Sequence, residues 1–305
     1  MNLRERLSKP GPILMDGAVG TELARRGIDT TLPLWSARAL IDDRGCETLQ
    51  LIHADYARAG AEILITNTFR TTLRALGRAG LGDQWRLYNR RAVEAARAGA
   101  GAGADAGAGG PGALVAGSVA PLEDCYRPDE VPAQADCQRE HRRQVDLLAQ
   151  LGVDLIVIET MNLGREAVAA ADAARAVGID ALVSLCPGSP AKLLSGETLS
   201  EVLPRILQAG GERILGCLLN CGSPDLLASA FVGFTGIRPD VPHGLYAHLG
   251  EPDPVSGWRL PRDQDPEGYA SWMALRVNEG ARLIGGCCGT GPAHIAALAS
   301  RLPSW

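Results

Sequence analysis

Cysteine residues stand at two places in the sequence where a single metal ion could collect them. Cys287 and Cys288 are adjacent in the segment GGCCGT of residues 285–290, and Cys221 lies in the segment NCG of residues 220–222. Adjacent cysteines can bind one ion only where the backbone bends sharply, and the flanking glycines allow such a bend. Three thiolates suit Zn²⁺, and three protein ligands leave a fourth position open for catalysis. We therefore predict a catalytic zinc site at Cys221, Cys287 and Cys288.

Other roles for these cysteines stay open at the level of sequence. A disulfide between Cys287 and Cys288 would have to strain to join adjacent residues. The nearest competing ligand is Cys217, which precedes Cys221 by four residues inside a predicted strand and is expected to fill the core. We interpret the remaining cysteines as small buried hydrophobic residues in the same way; they are Cys46, Cys125, Cys137 and Cys186.

Two acidic residues end apolar runs at which a carboxylate is unusual. Glu159 follows the run LIVI of residues 155–158, where a carboxylate is costly to bury unless it meets a cation. A bound ammonium group would be a suitable partner. Asp16 ends an earlier apolar run and precedes the segment GAVGT of residues 17–21, so it could instead cap a following helix.

Short apolar runs alternate with stretches of helical periodicity along the whole chain, and this alternation must position these residues. The predicted strands are residues 12–16, 62–66, 114–118, 154–159, 181–185, 214–220, 244–248 and 282–286. The predicted helices are residues 47–59, 84–98, 138–151, 165–177, 198–209, 224–231, 266–279 and 292–302. Eight strands alternating with eight helices predict an α/β protein with a single (β/α)8 barrel domain over residues 1–305. Catalytic groups of such barrels lie at the carboxyl ends of the strands, where Asp16, Glu159 and the three predicted zinc ligands are found.

One segment lacks large side chains. Residues 98–112 read AGAGAGADAGAGGPG, and we interpret them as a mobile surface loop. A lid over the active site is the alternative. A loop that follows a helix opens on the opposite face of a barrel, which argues against the lid.

Composition excludes several classes of protein. The 305 residues are 46% hydrophobic, which is enough to bury a core, so a disordered chain is excluded. The net charge of −5 gives no positive field for nucleic acid. The charged opening MNLRERL does not resemble a signal peptide, and no apolar stretch is long enough to cross a membrane. We therefore expect a cytoplasmic protein with small-molecule substrates, and its eight cysteines fit a reducing compartment.

Five segments together resemble the homocysteine S-methyltransferase family. They are MDGAVGTEL (15–23), TNTF (66–69), GVDLIVIET (152–160), NCG (220–222) and GGCCGTGPAHI (285–295), and they span nearly the whole chain. The resemblance implies a zinc-dependent barrel enzyme that methylates homocysteine to methionine. By the same resemblance, Cys221, Cys287 and Cys288 hold zinc. The amino and carboxylate groups of homocysteine would be held by Asp16, Gly17, Thr66 and Glu159.

The methyl donor is inferred from the residues at the positions of an aromatic cage. Enzymes of this family that use betaine place tyrosines at positions that are Arg70 and Thr160 here, which leaves Trp35 as the plausible wall of an aromatic cage. We therefore expect a sulfonium donor, S-methylmethionine ahead of S-adenosylmethionine, with betaine as the alternative. Trp35 could equally be a packed indole. Arg70 could bind a donor carboxylate or lie in solvent.

Two other functions stay open. The acceptor could be a different thiol or a selenol, because the fit of the pocket sets selectivity. The adjacent cysteines could also serve a zinc or thiol redox sensor that binds without turnover.

Overall fold

Eight parallel strands form the centre of the computed structural model, which describes residues 2–105, 112–253, 255, 257–260 and 265–302. The barrel strands are β1 (Ile13–Leu14), β2 (Ile63–Ile65), β3 (Leu114–Val119), β4 (Leu155–Met161), β5 (Ala181–Leu185), β8 (Ile214–Asn220), β9 (His243–Tyr246) and β12 (Leu283–Ile284). Two antiparallel hairpins follow barrel strands, β6 (Pro187–Ser189) with β7 (Lys192–Leu193) and β10 (Glu251–Asp253) with β11 (Gly257–Arg259). Each of the eight predicted strands is present, and the prediction of a single (β/α)8 barrel is confirmed.

The barrel closes where β1 meets β2, the two strands at the ends of the sheet order. The strand order is β1-β12-β9-β8-β5-β4-β3-β2. β1 pairs with β12 over two residues, and one bridge between Met15 and Ile63 joins β1 to β2. The first and last segments of the chain therefore lie side by side in the barrel wall.

The helices surround this sheet. They are α1 (Leu3–Leu7), α2 (Val19–Arg25), α3 (Asp43–Arg58), α4 (Leu73–Arg78), α5 (Trp85–Asp105), α6 (Gln134–Gln150), α7 (Gly164–Val177), α8 (Leu199–Gly210), α9 (Pro224–Thr235), α10 (Pro266–Asn278) and α11 (Pro292–Arg301). The eight predicted helices all occur, and α1, α2 and α4 are additional short ones. No helix in the described ranges is long and apolar enough to cross a membrane.

The core has two layers, because side chains of a strand alternate between its faces. In β4, Leu155 and Val157 belong to the cluster inside the barrel. Ile156 and Ile158 belong to the larger cluster between sheet and helices. The three cysteines of the predicted metal site are part of the inner cluster, so this site sits on the packed barrel interior.

The predicted loop at residues 98–112 is wrong for its first half, because α5 continues to Asp105. Alanine favours a helix, and packing supports this turn: Ala100 is buried in the outer cluster. Gly99 lies so close to α3 that a Cβ atom there would stand 2.4 Å from Cβ of His53. Glycine thus permits the helix contact. Residues 106–111, the rest of the predicted loop, lie outside the described part of the chain.

Candidate active site

The carboxyl ends of the strands surround a pocket of about 380 Å³. Six of the seven predicted site residues line it, namely Gly17, Thr66, Glu159, Cys221, Cys287 and Cys288. The seventh, Asp16, does not belong to the lining and lies beside Gly17, almost fully buried. One pocket therefore collects residues from β1, β2, β4, β8 and β12.

The three cysteines converge from two strand ends. The sulfurs of Cys221 and Cys287 are 2.8 Å apart. The Cys288 thiol lies within hydrogen-bonding reach of both. The pKa of Cys221 is raised well above its ordinary value, chiefly by the hydrogen bond with Cys287 and further by burial. Crowded thiols in this position stay protonated unless a cation offsets their charge.

A glycine conformation and two hydrogen bonds hold the adjacent cysteines in place. Gly289 has φ of 87°, and a Cβ atom there would stand 2.1 Å from the carbonyl oxygen of Leu249. The Thr290 hydroxyl donates to the carbonyl of Cys287 at 2.8 Å, and the Cys287 amide donates to Ala247 at 2.9 Å. The bend that the sequence predicted for this segment is thus fixed from both sides.

The three thiols suit a zinc ion in type and number, but the sulfurs of Cys221 and Cys287 lie closer together than two zinc ligands do. With Zn–S bonds of about 2.3 Å, two sulfurs of a tetrahedral site stand roughly 3.8 Å apart, so Cys221 and Cys287 would have to separate by about 1 Å. Accordingly, no group of three or more His, Cys, Asp or Glu side chains within the described ranges already has the geometry of a metal site. Three buried thiols at the pocket wall nevertheless supply the ligand type and number of an open zinc site.

A bulge in β4 turns two successive residues toward the pocket. The pairing register of β4 with β5 shifts between Ile158 and Met161, and both of these residues point outward. Glu159 and Thr160 between them both line the pocket. Thr160 has φ of 58°, an unfavourable conformation for a β-branched residue and one that concentrates at functional sites.

Asn220 stabilises this strained turn. Its side-chain oxygen accepts from the amide of Thr160 at 3.1 Å, and its Nδ2 donates to the Thr160 hydroxyl at 2.8 Å. The same Nδ2 lies 3.5 Å from the sulfur of Cys221, which itself has φ of 52°. Asn220 thus contacts both Thr160, which follows Glu159, and the metal-site residue Cys221. The sequence did not reveal this role.

Glu159 and Asp16 are both buried, and neither forms an ion pair with a cationic side chain among the described residues. The Glu159 carboxylate accepts from the hydroxyls of Ser118 and Tyr246. Burial raises its pKa to about 7. Asp16 accepts from the amide of Ile65 through one oxygen at 2.8 Å, and its other oxygen is buried with no hydrogen-bond partner among the described residues. Burial, and then the charge of Glu159, raises the pKa of Asp16 well above its ordinary value. An ammonium group would satisfy both acids.

Gly17 and Thr66 differ in what they can offer a substrate. The amide of Gly17 has no hydrogen-bond partner in the described chain, and a side chain there would collide with Thr290 and Tyr56. It is therefore a free donor. The Thr66 hydroxyl already contacts the Thr68 hydroxyl at 2.8 Å and accepts from the amide of Ser118 at 3.2 Å, so Thr66 mainly shapes the wall.

The pocket has more aromatic walls than the sequence indicated. Its lining includes Trp35, Phe69, Tyr126, Tyr246 and Trp258, so the expectation that only Trp35 remained of a cage is wrong. The reason is that Tyr126 and Trp258 come from the loops after β3 and β9, positions that the comparison with betaine enzymes did not include. Both follow barrel strands, and that rule was the signal available for finding them.

The hairpin of β10 and β11 closes one side of this aromatic wall. A Cβ atom on Gly257 would stand 2.7 Å from the Trp35 ring, so hairpin and ring are in close contact. Trp258 donates from its indole nitrogen to the carbonyl of Leu249 at 2.9 Å, and its ring meets that of His248 at 4.9 Å between centroids. Trp35 is therefore a wall residue, whereas His248 packs against Trp258 and is not part of the pocket lining.

The other cysteines follow the prediction with one exception. Cys125, Cys137, Cys186 and Cys217 are buried, and Cys217 lies in the outer cluster, away from the pocket. Cys46 is only half-buried. Cys125 also lines the pocket, because it lies in the loop after β3. All eight cysteines are free thiols in this structure.

Comparison with known proteins shows which family this chain is similar to. The family model for homocysteine S-methyltransferase matches residues 13–302. The homocysteine S-methyltransferase of Escherichia coli K12 is 33% identical over 98% of this chain and 98% of its own. The S-methylmethionine–homocysteine S-methyltransferase BHMT2 of Rattus norvegicus is 29% identical over 98% of this chain and 80% of its own. The metallated crystal form of the homocysteine methyltransferase MmuM from E. coli superposes with a TM-score of 0.85 at 32% identity, covering 98% of this chain and 99% of that one. The chain therefore belongs to the homocysteine S-methyltransferase family.

Proposed function

We propose that this methyltransferase transfers a methyl group from S-methylmethionine to the sulfur of homocysteine and so forms methionine. The observation that carries the proposal is the meeting of three thiols and Glu159 at one pocket, with Asp16 buried next to it and neither acid in an ion pair among the described residues. The names of the relatives support the substrates, since the rat protein is described as acting between S-methylmethionine and homocysteine. We assign the activity to one barrel domain spanning residues 1–305, in the cytoplasm, where a reducing environment keeps such thiols free.

Homocysteine would bind by its amino acid group at the acidic side. Its ammonium group fits between Asp16, whose free oxygen is buried, and Glu159. Its carboxylate would accept from the unpaired amide of Gly17. The ammonium group offsets the charge of one carboxylate and can donate hydrogen bonds to both acids, so part of the free energy that their burial costs is recovered on substrate binding.

We further propose that Cys221, Cys287 and Cys288 hold zinc and that the substrate sulfur completes the site. Zinc bound there would keep the thiol of homocysteine ionised at neutral pH. The chain supplies hydrogen bonds around the sulfurs: Nδ2 of Asn220 lies 3.5 Å from the sulfur of Cys221, and the Thr160 hydroxyl 3.7 Å from it. Such second-layer contacts orient ligands and tune their charge.

The methyl donor would bind against the aromatic residues of the pocket wall. A sulfonium cation is attracted to ring faces, and Trp35, Tyr126 and Trp258 supply them. A lone pair on the homocysteine sulfur forms the new S–CH₃ bond, while the C–S bond of the donor breaks and its electrons stay on the donor sulfur. S-methylmethionine thereby also becomes methionine. Because charge is cancelled and no proton moves in this step, the pocket contributes mainly by aligning the two sulfurs.

The test measures bound zinc together with methionine formed from homocysteine when S-methylmethionine, S-adenosylmethionine and betaine are offered separately. We expect about one zinc per chain, as for an open three-ligand site, and the fastest turnover with S-methylmethionine. Faster turnover with betaine would overturn the donor assignment, because the aromatic walls suit a quaternary ammonium as well. Zinc without turnover from any donor would overturn the reaction and favour other acceptors, such as selenols, or a sensor.

A further inference from the structure

Arg70 has no acidic partner in the pocket wall. It follows β2 and lines the pocket beside Phe69, with its guanidinium carbon 5.9 Å from the centre of that ring. Its Nε is buried and has no hydrogen-bond partner among the described residues. A guanidinium group carries five donors and cannot lose its charge, so leaving it unpaired in a partly buried wall is costly. A carboxylate of a bound ligand would supply the partner that this Nε–H group lacks.

The other acids of the lining have partners of their own: Asp124 accepts from the amide of Tyr126 at 2.8 Å, and Asp253 forms an ion pair with Arg259 at 3.2 Å. The other arginine of the lining, Arg127, makes two hydrogen bonds to Asp129 at 2.9 and 2.7 Å. Arg70 lies on the side of the β3 loop, where its charge opposes the rise that burial gives to the pKa of Cys125. Within the described pocket, Arg70 is thus the arginine that is available to a ligand.

The homocysteine head group has other partners. In the proposed function its ammonium group meets Asp16 and Glu159, and its carboxylate meets the amide of Gly17. The guanidinium fork of Arg70 would then be left for a second carboxylate. A planar guanidinium binds a carboxylate through two parallel hydrogen bonds, which fixes orientation as well as affinity.

We propose that Arg70 binds the carboxylate of the methyl donor and so selects donors that carry both a methylated cation and a carboxylate. This inference rests on the proposed function, because it takes the second substrate to be the donor. With the carboxylate held at Arg70, the cationic centre would extend along the aromatic walls toward the three cysteines. Arg70 would act in donor binding and not in activation of homocysteine.

The experiment compares two donors that differ at one group: S-methylmethionine and S-methylmethioninol, in which the carboxylate is replaced by a hydroxymethyl group. Initial rates are measured for the wild type and for Arg70→Gln, Arg70→Lys and Arg127→Gln. We expect the wild type to prefer the carboxylate donor about 10- to 100-fold in kcat/KM, the range that charge-assisted hydrogen bonds give. Arg70→Gln should lose this preference and keep the KM for homocysteine, Arg70→Lys should retain part of it, and Arg127→Gln should retain all of it.

Two results would overturn the inference. One is an unchanged donor preference in Arg70→Gln, and the other is a raised KM for homocysteine in place of the donor effect, which would assign Arg70 to the acceptor. If the wild type forms no methionine from either donor, the proposed function fails separately. Calorimetric binding of the two donors to the homocysteine-loaded protein then decides about Arg70: wild-type binding that ignores the carboxylate, or a preference that survives in Arg70→Gln, refutes it.

Discussion

Replacing Glu159 by glutamine should stabilise the empty protein above pH 7 and at the same time weaken homocysteine binding. The carboxyl group is buried, and burial raises its pKa from 4.5 to about 7. The folded chain therefore disfavours the charged form. Glutamine has no charge to bury, and its amide oxygen can still accept from the hydroxyl of Ser118.

The size of the effect follows from the shift in pKa. The difference between about 7 and 4.5 is roughly 2.5 pK units, which at 1.36 kcal/mol per unit is about 3 kcal/mol. Below pH 4.5 the group is protonated in both folded and unfolded chains, and its burial has no cost of ionisation. Stability is lost as the pH rises from 4.5 through 7, where the folded protein must also ionise. The advantage of Glu159→Gln should therefore grow from near zero at pH 4.5 to about 3 kcal/mol above pH 7.

Urea unfolding of the reduced, metal-free wild type and of Glu159→Gln between pH 5 and 8 measures this difference. The matched control is Glu123→Gln, because Glu123 is also buried but pairs with Arg74 at 3.0 Å and with Arg78. That variant should lose stability throughout this pH range. Equal stability of the wild type and Glu159→Gln at pH 8, or a difference that does not change with pH, would refute the reasoning.

The same substitution should raise the KM for homocysteine about 10- to 100-fold, as expected for a lost charge-assisted hydrogen bond, and leave bound zinc unchanged. A variant that is more stable yet binds substrate less well would identify Glu159 as a group kept for binding at the expense of the fold. An unchanged KM would separate Glu159 from the ammonium group.

Five further substitutions test the cysteines, the bend beside them and the aromatic wall of the pocket. Cys221→Ala and Cys287→Ala should each lose zinc and turnover together, whereas the control Cys217→Ala should keep both and lose only about 1 kcal/mol of stability. Zinc content and activity are measured for each variant. Full zinc in Cys221→Ala or Cys287→Ala would remove that residue from the ligand set. Gly289→Ala should lower zinc affinity at least tenfold in a chelator competition, because a Cβ atom there collides with Leu249; an unchanged affinity would mean that the bend tolerates a side chain. Trp258→Ala should raise the KM for the donor several-fold without changing that for homocysteine, and the reverse pattern in initial rates would place homocysteine against this ring.

Much of this fold is readable from the sequence because each strand is a short apolar run followed by a long amphipathic helix. The runs at 154–159 and 214–220 correspond closely to β4 and β8. Short elements such as α1 and α4 were missed, since a few residues carry too little periodicity to be recognised. Residues 98–105 were misjudged because helix packing against His53 outweighs the weak helix propensity of the glycines.

The site was predictable where chemistry is carried by residue type and was missed where it depends on geometry. Cysteine and acidic residues at strand ends can be recognised in the sequence from their type and position. The bulge at Glu159 and Thr160, the contact of Asn220 with Thr160, and the contribution of Trp258 depend on the three-dimensional path of the chain. No local pattern encodes them, since each requires segments distant in sequence to meet.

The closure of the barrel bears on how the site is maintained between turnovers. Asp16 follows β1 and the adjacent cysteines follow β12, and these strands are held by a two-residue pairing and by the Gly286 amide, which donates to the carbonyl of Asp16 at 3.0 Å. A fluctuation that parts them would separate the two halves of the site while most of the barrel stays folded. Homocysteine bound to both Asp16 and the cysteines would hold β1 and β12 together. Amide hydrogen exchange should therefore slow most at these two strands when substrate binds. Substrate would thus complete the wall that contains it.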